Sequence, residues 1–117
     1  MENKLISEEV IEILQFRIQQ EEASARLYEQ MSLYLKNAGY VNSAKLWKKY
    51  ADDEMNHANW SKDYLLSFSI MPELPDLDAP DTDFTGLPDI FRRTYAHEII
   101  VSEQCKELGK KSMESGD

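Results

Sequence analysis

His57 stands three residues after Glu54, so on a helix the two side chains leave one face about a turn apart and can offer a carboxylate oxygen and an imidazole nitrogen to the same cation. Two further glutamates, Glu21 and Glu98, sit at the centres of other apolar repeats. A carboxylate is among the side chains least often buried, and several at one depth repel each other unless cations neutralise them. An oxygen-rich set with one histidine suits iron or manganese better than a structural zinc ion. The predicted metal ligands are therefore Glu21, Glu54, His57 and Glu98. Asp53, next to Glu54, is a candidate for an accessory ion. Tyr28, two turns from Glu21, is placed to hydrogen-bond a ligand or to donate an electron.

These positions follow from a repeat of alternating three- and four-residue steps, the signature of packed long helices. One stripe reads Leu14, Ile18, Glu21, Ala25, Tyr28, Ser32 and Leu35; a second reads Ala44, Trp47, Ala51, Glu54, Ala58, Ser61, Leu65 and Phe68. The third reads Leu87, Phe91, Thr94, Glu98, Val101, Cys105 and Leu108. Each carries one glutamate near its middle. The nearby basic residues Arg17, Lys48, Lys49 and Lys106 fall on none of the stripes. Leu27, Met31 and Tyr34 form a side stripe expected to meet another subunit. Met55 points away from the stripe and is expected to pack rather than to ligate haem.

Three long helices must carry these stripes. Ser7, followed by Glu8 and Glu9, suits a helix start, and Gly39 suits a left-handed terminator. Asn42 or Ser43 is the expected cap of the second helix, and Pro88 fits the first turn of the third. The predicted helices cover roughly 7–38, 42–69 and 87–115. Between the last two, Pro72, Pro75, Pro80 and Gly86 mark a long extended connection, long enough to let those helices run parallel. Its aspartates, Asp76, Asp78, Asp81 and Asp83, lack the glycine and closing glutamate of a calcium loop and are expected to be solvated. The fold class is all-α, a single helical-bundle domain over 1–117.

Composition narrows the function. A net charge of −9 opposes binding to nucleic acid and favours cations. Cys105 is the single cysteine, so neither an intrachain disulfide nor a thiolate zinc site can form. No apolar run of membrane-spanning length occurs, and the first residues lack the pattern of a signal peptide, so a cytoplasmic protein without a membrane partner is expected.

Three segments, Tyr28-Glu29-Gln30-Met31-Ser32, Asp53-Glu54-Met55-Asn56-His57-Ala58 and Thr94-Tyr95-Ala96-His97-Glu98, resemble the corresponding helices of non-haem bacterial ferritins, and the likeness extends over nearly the whole chain. Di-iron bundles of this kind take single glutamates from two helices and Glu-x-x-His from the other two. The resemblance implies that Glu21, Glu54 and His57 hold the first iron of a ferroxidase centre, that Glu54 bridges to a second iron held by Glu98, and that Tyr28 lies beside the pair. It also implies Fe(II) oxidation by dioxygen or peroxide and ferric mineral stored inside a homo-oligomeric cage of twenty-four subunits. Family members continue past the segment matching 112–117 into a fourth helix that closes the bundle and adds a Gln or Glu ligand. Without it, three helices expose an apolar groove and a half-open site, which favours association between subunits. Two other readings remain: an inactive or impaired bundle acting in assembly or metal binding, and a bacterioferritin- or rubrerythrin-like protein, whose diagnostic second Glu-x-x-His or cysteine-bound iron the sequence lacks.

Overall fold

The computed structural model describes residues 6–115, with side chains described to residue 110. Among these described residues three helices form: α1 Glu8–Asn37, α2 Val41–Ser67 and α3 Leu87–Ser115. Among the described residues there is no strand.

Ser7 caps α1, its hydroxyl accepting from the Val10 N–H at 3.2 Å. At the other end the Tyr40 N–H donates to the Leu35 carbonyl at 2.8 Å and the Gly39 N–H to that of Lys36 at 3.2 Å, the paired bonds of a Schellman terminator. Gly39 supplies the left-handed residue that this turn demands, with φ of 93°. The turn delivers the chain directly into α2, so helix begins at Val41, before either expected cap. Tyr40 occupies the cap position and makes no side-chain cap bond. The end of α2 repeats the motif, Ile70 to Leu65 at 3.0 Å and Ser69 to Leu66 at 2.9 Å, with Ser69 in the left-handed region at φ 59°.

α1 and α2 pack antiparallel. The connection 68–86 then returns along α1: the Glu73 N–H donates to the Gln15 side chain at 3.1 Å, and the Gly86 N–H donates to the Tyr34 hydroxyl at 2.6 Å. Those anchors lie 19 positions apart on α1, or about 28 Å at the helical rise. α3 therefore starts beside the start of α2, runs parallel to it and antiparallel to α1. Of the loop aspartates, Asp81 and Asp83 face Arg93 at 3.6 and 2.9 Å, and Arg93 also covers the ring of buried Phe84.

The densest core lies at the hairpin end, where Tyr28, Met31, Leu35, Ala44, Trp47, Ala51, Phe84 and Ile90 meet. Polar atoms at this core find partners: the Trp47 indole N–H donates to Thr94 Oγ1 at 3.0 Å, and Ser32 Oγ donates to the Ala44 carbonyl at 2.7 Å. Met31 is wholly buried in this core, with Leu27 and Tyr34 packed against it. The side stripe expected to meet another subunit is thus used inside the chain.

The third stripe holds in part: its Leu87, Thr94, Val101, Cys105 and Leu108 are half-buried. Ile90 is buried and Thr94, His97, Val101 and Gln104 are half-buried, whereas Phe91 and Glu98 are exposed. α3 rests chiefly on α1, so the packed face extends past the stripe to Ile90, His97 and Gln104, while Phe91 and Glu98 at the other edge of the stripe look along the open side towards α2. The exposed apolar surface there includes Phe91, Tyr95 and Ile99.

Candidate metal centre

The middle of each helix contributes to one region. Glu21 on α1 is buried, its side chain 5% exposed. Glu54 and His57 on α2 face it: His57 Nδ1 lies 3.3 Å from Glu54 Oε1 and 4.0 Å from Glu21 Oε2. Glu98 on α3 is exposed but tethered, because the Tyr28 hydroxyl donates to its Oε1. A cleft lined by Tyr28, Tyr50, Asp53, Glu54, His57, Thr94 and Glu98 opens between α2 and α3. Asp53 lies at its rim and pairs with Lys49 at 3.1 Å.

Glu21 is the most unusual of these groups. Burial pushes its carboxyl above the ordinary range, with the Glu54 charge adding to the rise, while Arg17 and His57 pull the other way. Arg17 Nη2 donates to Glu21 Oε2 at 2.8 Å. Glu21 Oε1 is buried with no hydrogen-bond partner. An orphaned carboxylate oxygen in a protein interior is costly and usually marks a missing water, ion or function. The donor set is three carboxylates and one imidazole, which fits a divalent first-row cation. Among the described residues no three His, Cys, Asp or Glu groups are drawn together tightly enough to enclose one ion. Glu21 and Glu54 both approach His57, and Glu98, tied by Tyr28, lines the same cleft as Glu54 and His57.

Two residues absent from the predicted set also shape the region. Arg17 lies off the apolar stripe, yet its long side chain reaches Glu21 one turn on. His97 shares a 2.7 Å hydrogen bond with Ser24 and stands edge-on to the Tyr28 ring, with centroids 5.7 Å apart. Burial pushes the His97 imidazole below its ordinary pKa. The signal for His97 was its seven-residue step from Ile90, the spacing of the face that packs on α1.

Residues 11–117 match the family described as the Ferritin-like domain. The chain belongs to that family. Relatives include the bacterial non-heme ferritin of Escherichia coli O6:H1, 27% identical over 113 residues, or 97% of this chain and 68% of the relative. A probable bacterial non-heme ferritin-like protein of Haemophilus influenzae is 28% identical over the same shares. Among solved structures, Chlorobium tepidum ferritin superposes with a TM-score of 0.87 at 21% identity, covering 97% of this chain and 69% of that one. An Archaeoglobus fulgidus ferritin engineered into a closed form superposes at 0.89 with 26% identity, covering 96% and 68%. The three-helix arrangement with its long crossover is thus a ferritin-type bundle, and the chain spans about two thirds of these relatives' length. Among the described residues no helix is long and apolar enough to cross a membrane.

Proposed function

We propose that this chain is an iron-binding ferritin subunit that oxidises Fe(II) to Fe(III) at a centre of Glu21, Glu54, His57 and Glu98, for iron storage and detoxification. The observation that carries the reading is Glu21: a buried carboxylate with an orphaned oxygen, facing Glu54 and His57 across the α1–α2 interface in a ferritin-like chain. Fe(II) is the substrate. Glu21 and His57 would take the first ion, Glu54 would lie between the two, and Glu98 would take the second, with Asp53 serving an accessory ion at the rim. Two Fe(II) ions give up one electron each, and dioxygen with two protons leaves as hydrogen peroxide; peroxide itself is the alternative oxidant and leaves as water. Tyr28 keeps its proton, since burial and then the Glu98 contact push its pKa far above neutrality, so it acts as a donor that positions Glu98. The surplus of acidic residues draws cations towards the protein.

The experiment is Fe(II) addition in air, followed by ferric absorbance. The expected result is oxidation well above the buffer rate and its loss in Glu54→Ala; a parent no faster than buffer, or a variant equal to the parent, refutes the assignment. A second reading, binding without turnover, is favoured by the Arg17 guanidinium on Glu21 and by the looseness of the ligand set. It predicts Co(II) binding with no accelerated oxidation. We further propose that the subunit is homo-oligomeric, because Phe91, Tyr95 and Ile99 form an exposed apolar face on α3. Light scattering should give a mass well above one chain; a monomer at high concentration refutes it.

A further inference from the structure

The region proposed to receive Fe(II) already holds a cation of its own. Arg17 Nη2 sits on Glu21 Oε2 at 2.8 Å, from the same turn-to-turn spacing that packs α1. We propose that Arg17 is a resident counter-charge for Glu21, displaced when a divalent cation enters, and that this exchange sets the affinity of the centre. The inference rests on the reading of Glu21, Glu54 and His57 as ligands.

Three features support it. Glu21 is nearly buried, so in the absence of a divalent ion its charge needs a partner, and the Arg17 side chain, 30% exposed, reaches it from the solvent side. Glu21 Oε2, the oxygen that Arg17 holds, is also the one that faces His57 Nδ1 at 4.0 Å, so a divalent ion entering between Glu21 and His57 meets the guanidinium at that atom and repels it. Finally, Arg17 has somewhere to go. Its Nη1 already donates to Gln20 Oε1 and approaches Cys105 Sγ at 3.2 Å, and Gln20 is itself braced by its amide on Gln104 Oε1 at 2.6 Å. A small swing about the arginine side chain gives up Glu21 while those contacts keep the guanidinium hydrogen-bonded. The fork geometry of arginine suits such a two-ended role better than the point charge of lysine.

The test uses Co(II) and Zn(II), which bind without being oxidised in the assay. In a competitive Co(II) titration read by its visible absorbance, Arg17→Gln should bind at least tenfold more tightly than the parent, and Arg17→Lys, which keeps the charge, should stay within a few-fold of it. In the ¹⁵N spectrum of the parent, the Arg17 guanidinium resonance should move in step with Zn(II) occupancy, and it should stay still in Glu54→Ala. Equal or weaker binding by Arg17→Gln, with parent binding intact, overturns the displacement proposal and leaves the ligand assignment standing. A guanidinium resonance unmoved by bound Zn(II) does the same and requires no variant to fold. If neither parent nor Arg17→Gln binds either ion, the ligand assignment falls and this inference with it.

Discussion

Replacing Tyr28 by Phe isolates one oxygen atom at the junction of core and centre. The ring is 2% exposed and packs in the hairpin-end core, where it meets Tyr50 and His97 edge-on, so Phe preserves the packing. What disappears is the donor that holds Glu98. A hydrogen bond to a charged group contributes about 1.5–3 kcal/mol, and because Glu98 is exposed, water recovers part of that loss, which argues for the lower end. About 1.4 kcal/mol is a tenfold change in an equilibrium constant. The second divalent ion, which depends on Glu98, should therefore bind about tenfold more weakly in Tyr28→Phe, within the range seen when a group orienting a metal ligand is removed. The first ion, on Glu21, Glu54 and His57, should bind as in the parent. Calorimetric titration with Co(II) resolves the two steps, and a urea melt checks that the fold survives. A second step unchanged or tightened would show that Tyr28 does not hold Glu98 ready for an ion. An equal loss in both steps would show that it acts through the whole bundle.

Three further outcomes follow from the frame. Ser69→Gly should raise stability by about 0.5–1 kcal/mol in urea unfolding, because Ser69 holds the left-handed position that Gly39 fills in the equivalent turn; no gain would mean that the serine is unstrained. Leu35→Ala should cost about 2–5 kcal/mol, since Leu35 is fully buried in the hairpin-end core, and a loss under about 1 kcal/mol would refute that packing. Asp89 is held below the ordinary aspartate range by the Thr85 N–H and then by Arg93 and Arg92, so its contribution to stability is fully present above the unfolded value of about 3.9 and is lost as pH falls below that through its lower folded pKa. Asp89→Asn should accordingly be less stable than the parent at pH 7, with the gap narrowing as pH falls below about 3.9, and a gap independent of pH would refute the assignment.

Much of the frame was legible because its signals are local. Ser7, Gly39 and Pro88 mark helix ends through their own backbone chemistry, and the prolines of 72–80 exclude helix between α2 and α3. The missed cap of α2 has a non-local cause: the turn around Gly39 satisfies its bonds in the Leu35 and Lys36 carbonyls and leaves the next residue already helical. Asn42 and Ser43, good caps by type, fall inside the helix. The third stripe was legible along one edge alone, because a three-four repeat on a helix with one main neighbour does not say which edge of the stripe that neighbour takes. Met31 shows the same limit, since a side stripe on α1 can face another subunit or, as here, Thr94 and Trp47 of its own chain. At the centre, a stripe reading treats an off-stripe charge as solvated, whereas the length of Arg17 brings its head back to a buried neighbour.

The placement of the centre follows from where the core ends. Tyr28 belongs to the cluster that binds the hairpin end, and its hydroxyl is the last polar atom of that cluster on the side of Glu98. One turn earlier on α1, Ser24 meets His97; a further turn brings Gln20 to Gln104, and beyond it Arg17 meets Cys105. The α1–α3 contact thus changes from buried rings to hydrogen-bonded amides as it passes the centre. Apolar burial contributes more per contact than exchangeable hydrogen bonds, so the far half of α3 is the less firmly held half of the bundle. Glu54 and His57 stand on α2, whose backbone packs closely on α1, while Glu98 lies where α3 begins to depend on polar contacts. A centre built across that boundary has one rigid side and one adjustable side, and the Tyr28 hydroxyl is the tie between them. Hydrogen exchange should therefore protect the amides of Ile90 to Thr94 more strongly than those of Val101 to Leu108. Equal protection along α3 would mean that the polar contacts hold as firmly as the core, and that Glu98 owes its place to the helix rather than to Tyr28.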